Sequence, residues 1–461
     1  SLLFTVMLMV DIGYYVSALI CMIALAGLAC RYVIIPMTSL NDENNENSPL
    51  LVGRTISQQK QPGFTIFHRV LFSFKLIATI FSILNVLLST GQSIGLTLFL
   101  GSFQGLTGVY FVLFFCSLSF NLFFWPVAGV LYYKQQITRD MLQLKWIKYM
   151  FLAGLCDALN GFLIVFSSHA SRVPPSLTAI LVQSMIPFTF ILSKLLLKNK
   201  VYRWYHILSA CIVFNGILFS LIPTFKRIHD GTSTTELKHG WYWPFIFVLG
   251  TIPAALMNIV QEQLQVKYTE EMKQQINHRS PVITRFSVIY FQAVESLFQF
   301  LIIALGFGLD LIPNFGTSNS LHGFWLSFSN GFKCFFNRAG SGDTASRCSL
   351  SSGTGLLFIF SYIGTYITAT FLTDHISANW LSILTSLTPI CATSFWFIFP
   401  KLNEWAQAGK FDKWDIGFSL GALPLILIGM YFYRDTDRRN EQQRDDDEHE
   451  HMIEQPTELF W

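Results

Sequence analysis

The sequence predicts an all-α polytopic membrane protein with ten transmembrane helices. Three observations support this: 52% of the 461 residues are hydrophobic, only 13% are charged, and the mean hydropathy is +0.45. A soluble chain of this length would carry about twice that charged fraction. The composition therefore predicts a chain embedded in a lipid bilayer, and the net charge of +3 gives no indication of a nucleic-acid partner.

The charged residues mark the predicted spans, because uncharged intervals long enough to cross a bilayer are rare in soluble proteins. Residues 76–133 contain no Asp, Glu, Lys or Arg, and they provide two spans separated by the Gly- and Ser-rich stretch 101–108. The other eight spans are predicted at 149–169, 175–197, 204–223, 241–262, 286–309, 352–373, 377–400 and 415–433. They form two halves of five spans, residues 70–223 and 241–433.

The distribution of Lys and Arg predicts the orientation of these spans. If residues 37–75 face the cytosol, 20 of the 31 Lys and Arg residues lie on the cytosolic side and 10 on the opposite side. The C-terminal tail, residues 434–461, is then also cytosolic and is expected to be solvated. An even number of spans between the two segments agrees with this orientation.

The residues before the first span carry two further predictions. Residues 1–36 contain an apolar stretch that we expect to be an extra span acting as a signal anchor, a cleaved signal sequence, or part of a longer chain. Residues 37–69 are polar and are expected to form a disordered linker. In this linker Glu46, Leu50 and Leu51 fit the acidic dileucine pattern that clathrin adaptors read as a sorting signal. A chance match is the alternative.

A proline-interrupted apolar pattern occurs once in each half. Residues 180–187 (ILVQSMIP) and 382–389 (SILTSLTP) both place a serine three positions before a proline. Such spans in corresponding places indicate a transporter built from repeats, although two membrane helices can also resemble each other because they use few residue types. We expect hinges at Pro187 and Pro389. The polar side chains beside them are expected to bind a small-molecule substrate: Gln183, Ser184, Thr385 and Ser386.

Two carboxylates lie inside otherwise uncharged spans. Asp157 is in the third span, near Asn160, and Glu295 is in the seventh, near Gln292. A charge at such a depth costs at least about 2.5 kcal/mol, so each should face a water-filled cavity or a partner. We expect the two acids to couple transport to protons and all four residues to contact the substrate. A hydrogen-bonded packing role is the alternative for each acid.

The loop at 310–350 is expected to lie on the lumenal side and to contain an amphipathic helix on the membrane surface. Its apolar residues recur at intervals of three and four: Leu321, Phe324, Trp325, Phe328, Phe332, Phe335 and Phe336. Cys334 and Cys348 flank a polar segment of this loop, whereas the other six cysteines fall in apolar spans. In an oxidising lumen the loop pair should form a disulfide, and a two-cysteine metal site is a weak rival.

The sequence contains few other residues that indicate an ion pair, a catalytic site or a phosphate-binding site. Glu262 and Arg285 fall at cytosolic span ends, where they could form an ion pair that contributes to coupling, with solvated charges as the alternative. No Walker loop, zinc motif or nucleophile elbow is found, so we expect neither enzymatic activity nor a cofactor. A nucleotide-sugar or organophosphate antiporter is the alternative transporter. It would need Lys or Arg inside the spans, which contain essentially none.

The order of several features resembles the chloroquine resistance transporter-like family of the drug/metabolite transporter superfamily, over residues 70–433. The features are Asp157, residues 183–187 with the basic turn after them, residues 330–334 (NGFKC), and the proline of the ninth span. The resemblance implies two inverted five-helix repeats in an acidic endosomal, lysosomal or vacuolar membrane.

The same resemblance implies a function. It implies proton- or voltage-driven export of amino acids, short peptides, glutathione-like thiols or cationic drugs toward the cytosol. It also implies cavity roles for Asp157, Gln183 and Gln292 and a loop disulfide between Cys334 and Cys348. The chain departs from the family in the eighth span, where Thr365 or a neighbour replaces an acidic residue.

Overall fold

The computed structural model describes thirteen stretches of the chain. They are residues 64–66, 69–72, 74–103, 108–196, 204–229, 242–276, 286–313, 315–338, 347–375, 378–406, 414, 417–429 and 431–432. Four sets of predicted features lie outside these residues: the segment 1–36, the sorting residues Glu46, Leu50 and Leu51, Arg285, and the tail 434–461.

A short antiparallel hairpin precedes the helices. It pairs β1 (Phe64–Ile66) with β2 (Arg69–Phe72), and β1 falls at the end of the linker predicted to be disordered. The Phe, Thr, Ile and Val residues of this stretch favour extended backbone, which explains the difference.

The helices follow in this order: α1 (Phe74–Gly101), α2 (Val109–Tyr133), α3 (Leu144–Ser167), α4 (Pro175–Leu181), α5 (Met185–Leu196), α6 (Trp204–His229), α7 (Trp243–Ile276), α8 (Val288–Leu305), α9 (Leu321–Phe335), α10 (Ser351–His375), α11 (Ala378–Ile398), α12 (Pro400–Trp405) and α13 (Gly417–Gly429). Short 3-10 turns lie at Arg139–Leu142, Val182–Ser184 and Gly306–Leu311.

Seven of the described helices are long and apolar enough to cross a membrane. They are α1, α2, α3, α4 with α5 (Pro175–Leu196), α7, α8 with its 3-10 turn (Val288–Leu311), and α10. Three shorter apolar helices lie at the predicted fifth, ninth and tenth spans: Ile207–Pro223 in α6, Leu387–Ile398 in α11, and α13. Large exposed side chains such as Leu87 and Leu122 give these helices an apolar outer surface. The predicted class, a helical multi-pass membrane protein, is confirmed.

The two proline motifs fold differently. Between α4 and α5 the chain passes through the 3-10 turn at Val182–Ser184. Pro187 has no N–H to donate to the carbonyl of Gln183, four residues earlier, and the helix is irregular at this position. In contrast, α11 continues through Pro389 as one α-helix. Only the first motif therefore shows a local change of helix type.

Helices of the two halves pack against each other in pairs. The most extensive contacts join α1 to α10 and α3 to α7, and others join α2 to α8 and α4 to α11. Glycines allow the closest approaches: Gly95 of α1 lies on the backbone of Phe358, and Gly250 of α7 lies on the side chain of Leu163. In the same way α6 meets α13 where Gly216 faces Ile426.

The loop helix α9 packs on the start of α2. The Ser320 hydroxyl caps it by accepting a hydrogen bond from the Gly323 N–H at 3.0 Å. One face of α9, including Phe324 and Phe335, is buried against the α2 aromatic residues, whereas Trp325 is 57% exposed. The helix is amphipathic as predicted, with the additional feature that its buried face packs on the membrane helices.

The disulfide expected in this loop is present. It joins Cys334 at the end of α9 to Cys348 at the approach to α10, with a Cα–Cα distance of 4.7 Å. Both half-cystines are buried. The disulfide therefore attaches the loop helix to the first membrane helix that follows it.

Candidate functional site

The two carboxylates predicted inside the spans meet at the interface of α3 and α8. Asp157 is 3% exposed and Glu295 is fully buried. Their carboxyl groups lie within hydrogen-bonding reach of each other. Asn160 contacts Asp157, and the Gln292 amide donates a hydrogen bond to Glu295 Oε2. The structure thus brings together four of the predicted site residues in one cluster, which we call the carboxylate site.

Close packing of α3 on α8 makes this meeting possible. Gly154 lies one turn before Asp157, and a Cβ atom there would be 2.6 Å from the Glu295 carbonyl oxygen and 2.8 Å from Phe298 Cβ. Any larger residue would push the two helices apart. Gly154 is therefore the backbone feature that holds the two acids together.

The sequence did not predict the other groups around the carboxylate site. Asn121 of α2 donates to the carbonyl oxygens of Ser117 and Ser296, at 2.9 and 2.8 Å. Cys116 of α2 and Tyr362 of α10 lie close enough to Asp157 to interact electrostatically with its carboxylate. The site is therefore built from four helices, α2 and α3 of the first half and α8 and α10 of the second.

Several buried acceptors beside the site have no hydrogen-bond donor in the described part of the chain. They are Glu295 Oε1, Asn121 Oδ1 and Gln299 Oε1. Buried polar atoms in folded proteins nearly always have a partner, which can be protein, water or ligand. Three acceptors at one helix interface therefore mark a place where protons or substrate donor groups can be accepted.

The predicted residues of the first proline motif lie next to α7, at a contact other than the one between α3 and α8. Gln183 and Ser184 are both buried, and the Ser184 hydroxyl is 2.9 Å from the Thr251 hydroxyl of α7. Ser184 therefore links the 3-10 turn after α4 to α7. Its role as a substrate ligand stays a prediction, as does that of Gln183.

The roles of the remaining predicted residues, Thr385, Ser386, Glu262 and Arg285, stay predictions. Thr385 of α11 is exposed, and the side chain of Ser386 is outside the described residues. Glu262 is partly exposed in α7, while its proposed partner Arg285 is not described, so their ion pair stays a prediction.

A second polar contact, between α1, α10 and α11, was not foreseen. The buried Asn85 amide donates to the Thr368 hydroxyl at 2.9 Å and to the Thr365 carbonyl at 3.3 Å. One turn further along α1, the Ser89 hydroxyl lies 2.7 Å from that of Thr388. A scan for uncharged intervals cannot detect such residues, but a search for amides inside apolar runs would have found Asn85 and Asn121.

No group of three or more His, Cys, Asp and Glu side chains among the described residues is arranged to hold a metal ion. The carboxylate site itself contains carboxyl, amide, phenol and thiol groups.

One known protein family matches most of this chain. The family model described as CRT-like, chloroquine-resistance transporter-like, matches residues 79–433. The chain belongs to the CRT-like family. This match includes every helix that contributes to the carboxylate site, and membership indicates a membrane transporter.

Individual relatives of this CRT-like protein match shorter parts of it. Crt homolog 3 of Dictyostelium discoideum is 30% identical over 153 residues, which are 32% of this chain and 30% of the relative. Crt homolog 1 of the same organism is 28% identical over 204 residues, which are 43% of this chain and 37% of the relative. The chain thus matches about a third of the length of these relatives.

Proposed function

We propose that this CRT-like protein is a proton-coupled secondary transporter with its substrate site between two inverted five-helix repeats. The observation that carries the proposal is the contact between Asp157 and Glu295. One acid comes from each half of the chain, and both are buried in apolar helices that have the length of membrane spans. Intramembrane carboxylates of this kind are typical of proton and substrate pathways.

The packing of the helices supports the repeat arrangement. Numbering the ten spans in order, α1 and α10 are spans one and eight, and α3 and α7 are spans three and six. If each span is replaced by the span five places away in this order, spans one and eight become spans six and three. The contact between α1 and α10 therefore corresponds to the contact between α7 and α3. The contacts of α2 with α8 and of α6 with α13 each join two spans that are five places apart, so the same exchange leaves both contacts unchanged. An odd number of spans in each repeat then places the second repeat upside down relative to the first.

The carboxylate site offers a mechanism for coupling. Two carboxylates in contact repel each other in a low-dielectric site unless a proton lies between them. Since Gln292 already donates to Glu295 Oε2, the other oxygen, Oε1, is the atom available to a shared proton. Binding and release of that proton change the charge of the site by one, so a proton gradient or a membrane potential can drive its cycle.

The side chains around the site favour a cationic or peptide-like substrate. Asp157 and Glu295 can attract an ammonium group, and Asn160 can bond to amides. Tyr362 packs edge to face on Phe120, with ring centroids 4.7 Å apart, and aromatic faces also attract cations. Amino acids, short peptides, glutathione-like thiols and cationic drugs all fit this description, and export toward the cytosol follows if protons come from an acidic lumen.

The phosphate-binding alternative receives less support. A nucleotide-sugar or organophosphate antiporter needs cationic side chains in its cavity. Among the described residues Arg172 is the only buried Lys or Arg, and it lies in the loop between α3 and α4. Its guanidinium donates to the carbonyl oxygens of Phe166 and Phe315 and lies 3.7 Å from the Trp243 ring centroid.

We also propose residence in an endosomal, lysosomal or vacuolar membrane. Such compartments are acidic and would supply the protons, and Glu46, Leu50 and Leu51 form a pattern that clathrin adaptors recognise. Replacing Leu50 and Leu51 by alanine should redirect a fluorescently tagged protein to the cell surface. If the variant keeps the intracellular location of the wild type, Leu50 and Leu51 are not a sorting signal.

Uptake into proteoliposomes tests the transport proposal. The purified protein is assayed under an imposed pH gradient and membrane potential with arginine, lysine, short peptides, glutathione, a cationic amphiphile and nucleotide sugars. We expect gradient-dependent uptake of cationic or peptide-like solutes. Gradient-independent exchange of nucleotide sugars would move the protein to the antiporter class, and absence of uptake for every solute would contradict transport of this substrate group.

A further inference from the structure

A cleft of about 350 Å³ lies between the first turns of α3 and the C-terminal half of α7. Three lysines, two glutamates and two aromatic residues line it. It is at the face of the protein that the Lys and Arg distribution predicts to be cytosolic. It is separate from the carboxylate site, because Lys145 and Lys148 precede Asp157 by two to three helical turns.

The charges of this cleft are only partly balanced within the protein. Lys145 forms an ion pair with Glu271. The ammonium groups of Lys148 and Lys267 flank the ring of Tyr149, at 5.3 and 5.2 Å from its centroid, and Lys267 donates to the Tyr149 hydroxyl at 2.7 Å. Neither of these two lysines has a carboxylate partner in the described part of the chain. The cleft therefore presents two ammonium groups and one further carboxylate, that of Glu270.

The surface beside the cleft is apolar. Leu144 precedes Lys145 and is 82% exposed, and Val266 precedes Lys267 and is 46% exposed. Leu152, one turn after Lys148 on α3, is 39% exposed. Charged groups in a cleft with apolar side chains next to it suit a ligand that has a charged head and a hydrocarbon tail. Basic pockets at the cytosolic ends of membrane helices bind lipid headgroups in this way.

We propose that this cleft binds the headgroup of a phospholipid that carries serine. Such a headgroup has two anionic groups, a phosphate and a carboxylate, and one ammonium group. These complement the two ammonium groups of Lys148 and Lys267 and the carboxylate of Glu270. A headgroup that carries only a phosphate has no ammonium group to pair with the Glu270 carboxylate. A choline headgroup has one anionic group, its phosphate, so one of the two lysines would have no anionic partner. The proposal does not depend on what the protein transports.

Lipid binding can be measured directly on the purified, delipidated protein in detergent by native mass spectrometry. Phosphatidylserine, phosphatidylglycerol and phosphatidylcholine of matched acyl chains are titrated, together with free phosphoserine as the headgroup alone. We expect phosphatidylserine to bind most tightly and phosphatidylcholine least. Free phosphoserine binding as tightly as the lipid would overturn the lipid assignment in favour of a soluble anion.

Charge substitutions then assign the site. Each of Lys148→Gln and Lys267→Gln should weaken phosphatidylserine binding about fivefold, and the double variant about 30-fold, because one lysine near a membrane surface contributes about 1 kcal/mol. Glu270→Gln should reduce the preference for phosphatidylserine over phosphatidylglycerol. Lys194→Gln is a matched control, because Lys194 is an exposed lysine at the end of α5, outside the cleft.

Three further results would overturn the proposal. The first is equal binding of both anionic lipids to the wild-type protein, which indicates nonspecific charge attraction. The second is unchanged affinity in the double lysine variant, and the third is an equal loss in the Lys194→Gln control. The Lys148→Arg and Lys267→Arg variants should keep binding close to that of the wild type, which separates a lost charge from a misfolded cleft.

Discussion

Replacing Gly154 by alanine should separate the two halves of the carboxylate site without changing any of its polar groups. The added methyl carbon would lie 2.6 Å from the Glu295 carbonyl oxygen and 2.8 Å from Phe298 Cβ. Carbon–oxygen contacts normally begin at about 3.3 Å, so α3 and α8 must move apart by about 0.7 Å. A hydrogen bond between oxygens, normally about 2.7 Å long, would then exceed its usual range.

The expected effect on stability is a balance of two terms. Overpacking of a close helix contact costs about 1–3 kcal/mol, while alanine is favoured over glycine in a helix by about 1 kcal/mol. We therefore expect a net loss of about 0–2 kcal/mol in the free energy of unfolding. Loss of gradient-driven uptake should accompany it, because Asp157 and Glu295 can no longer share a proton.

Two measurements check this prediction: thermal unfolding in detergent and uptake into proteoliposomes under a pH gradient. Gly129→Ala and Gly353→Ala are matched controls, because no other atom lies within 4 Å of a Cβ at either position. These controls should be as stable as the wild type or slightly more stable. Wild-type stability and wild-type coupling in Gly154→Ala would refute the role of this helix contact.

Four further substitutions test other parts of the fold. Cys334→Ser removes a disulfide between residues 14 positions apart and should lower the free energy of unfolding by about 3 kcal/mol, a loss that a reducing agent should reproduce only in the wild type. Arg172→Lys keeps the charge but loses the planar fork and the stacking on Trp243, so we expect a loss of about 2 kcal/mol in thermal unfolding; an unchanged midpoint would show that charge alone suffices. Pro187→Ala restores a helical N–H and should slow substrate turnover with little change in stability, whereas Pro389→Ala should have less effect because α11 is already continuous. Equal turnover in the two proline variants would contradict a specific hinge at the first motif.

The positions of the membrane helices could be predicted because charge and apolar length are properties of the sequence itself. The break predicted at 101–108 agrees with the end of α1 at Gly101 and the start of α2 at Val109. Gly108 adopts a φ of 82°, in the left-handed region that favours glycine.

The carboxylate site could be predicted only in part. Asp157 and Glu295 are noticeable because acids are rare in apolar spans, and their neighbours Asn160 and Gln292 follow by helical spacing. Asn121 gives a weaker signal, and α2 is apolar around its whole circumference, so periodicity does not show which face is inward.

Contacts between the halves depend on tertiary packing and could not be read from spacing. The motif residue Ser184 is paired with Thr251 of α7, and the equivalent region of α11 is joined to α1 through Thr388 and Ser89. The residues of the first pair are 67 positions apart in the sequence, and those of the second pair are 299 positions apart. The predicted roles of Gln183, Ser184, Thr385 and Ser386 stay predictions, because spacing along the sequence does not show which protein groups lie opposite each side chain.

Transport by the Glu295→Gln variant shows whether Glu295 couples substrate movement to protons. Glutamine keeps the size of the side chain and removes its ability to exchange a proton. In proteoliposomes we expect this variant to retain exchange of the substrate at equal concentrations and to lose accumulation driven by a pH gradient. Asp310→Asn serves as the control, because Asp310 is a buried acid in the 3-10 turn after α8 and accepts hydrogen bonds from Thr317. Gradient-driven accumulation that survives in Glu295→Gln would contradict the account.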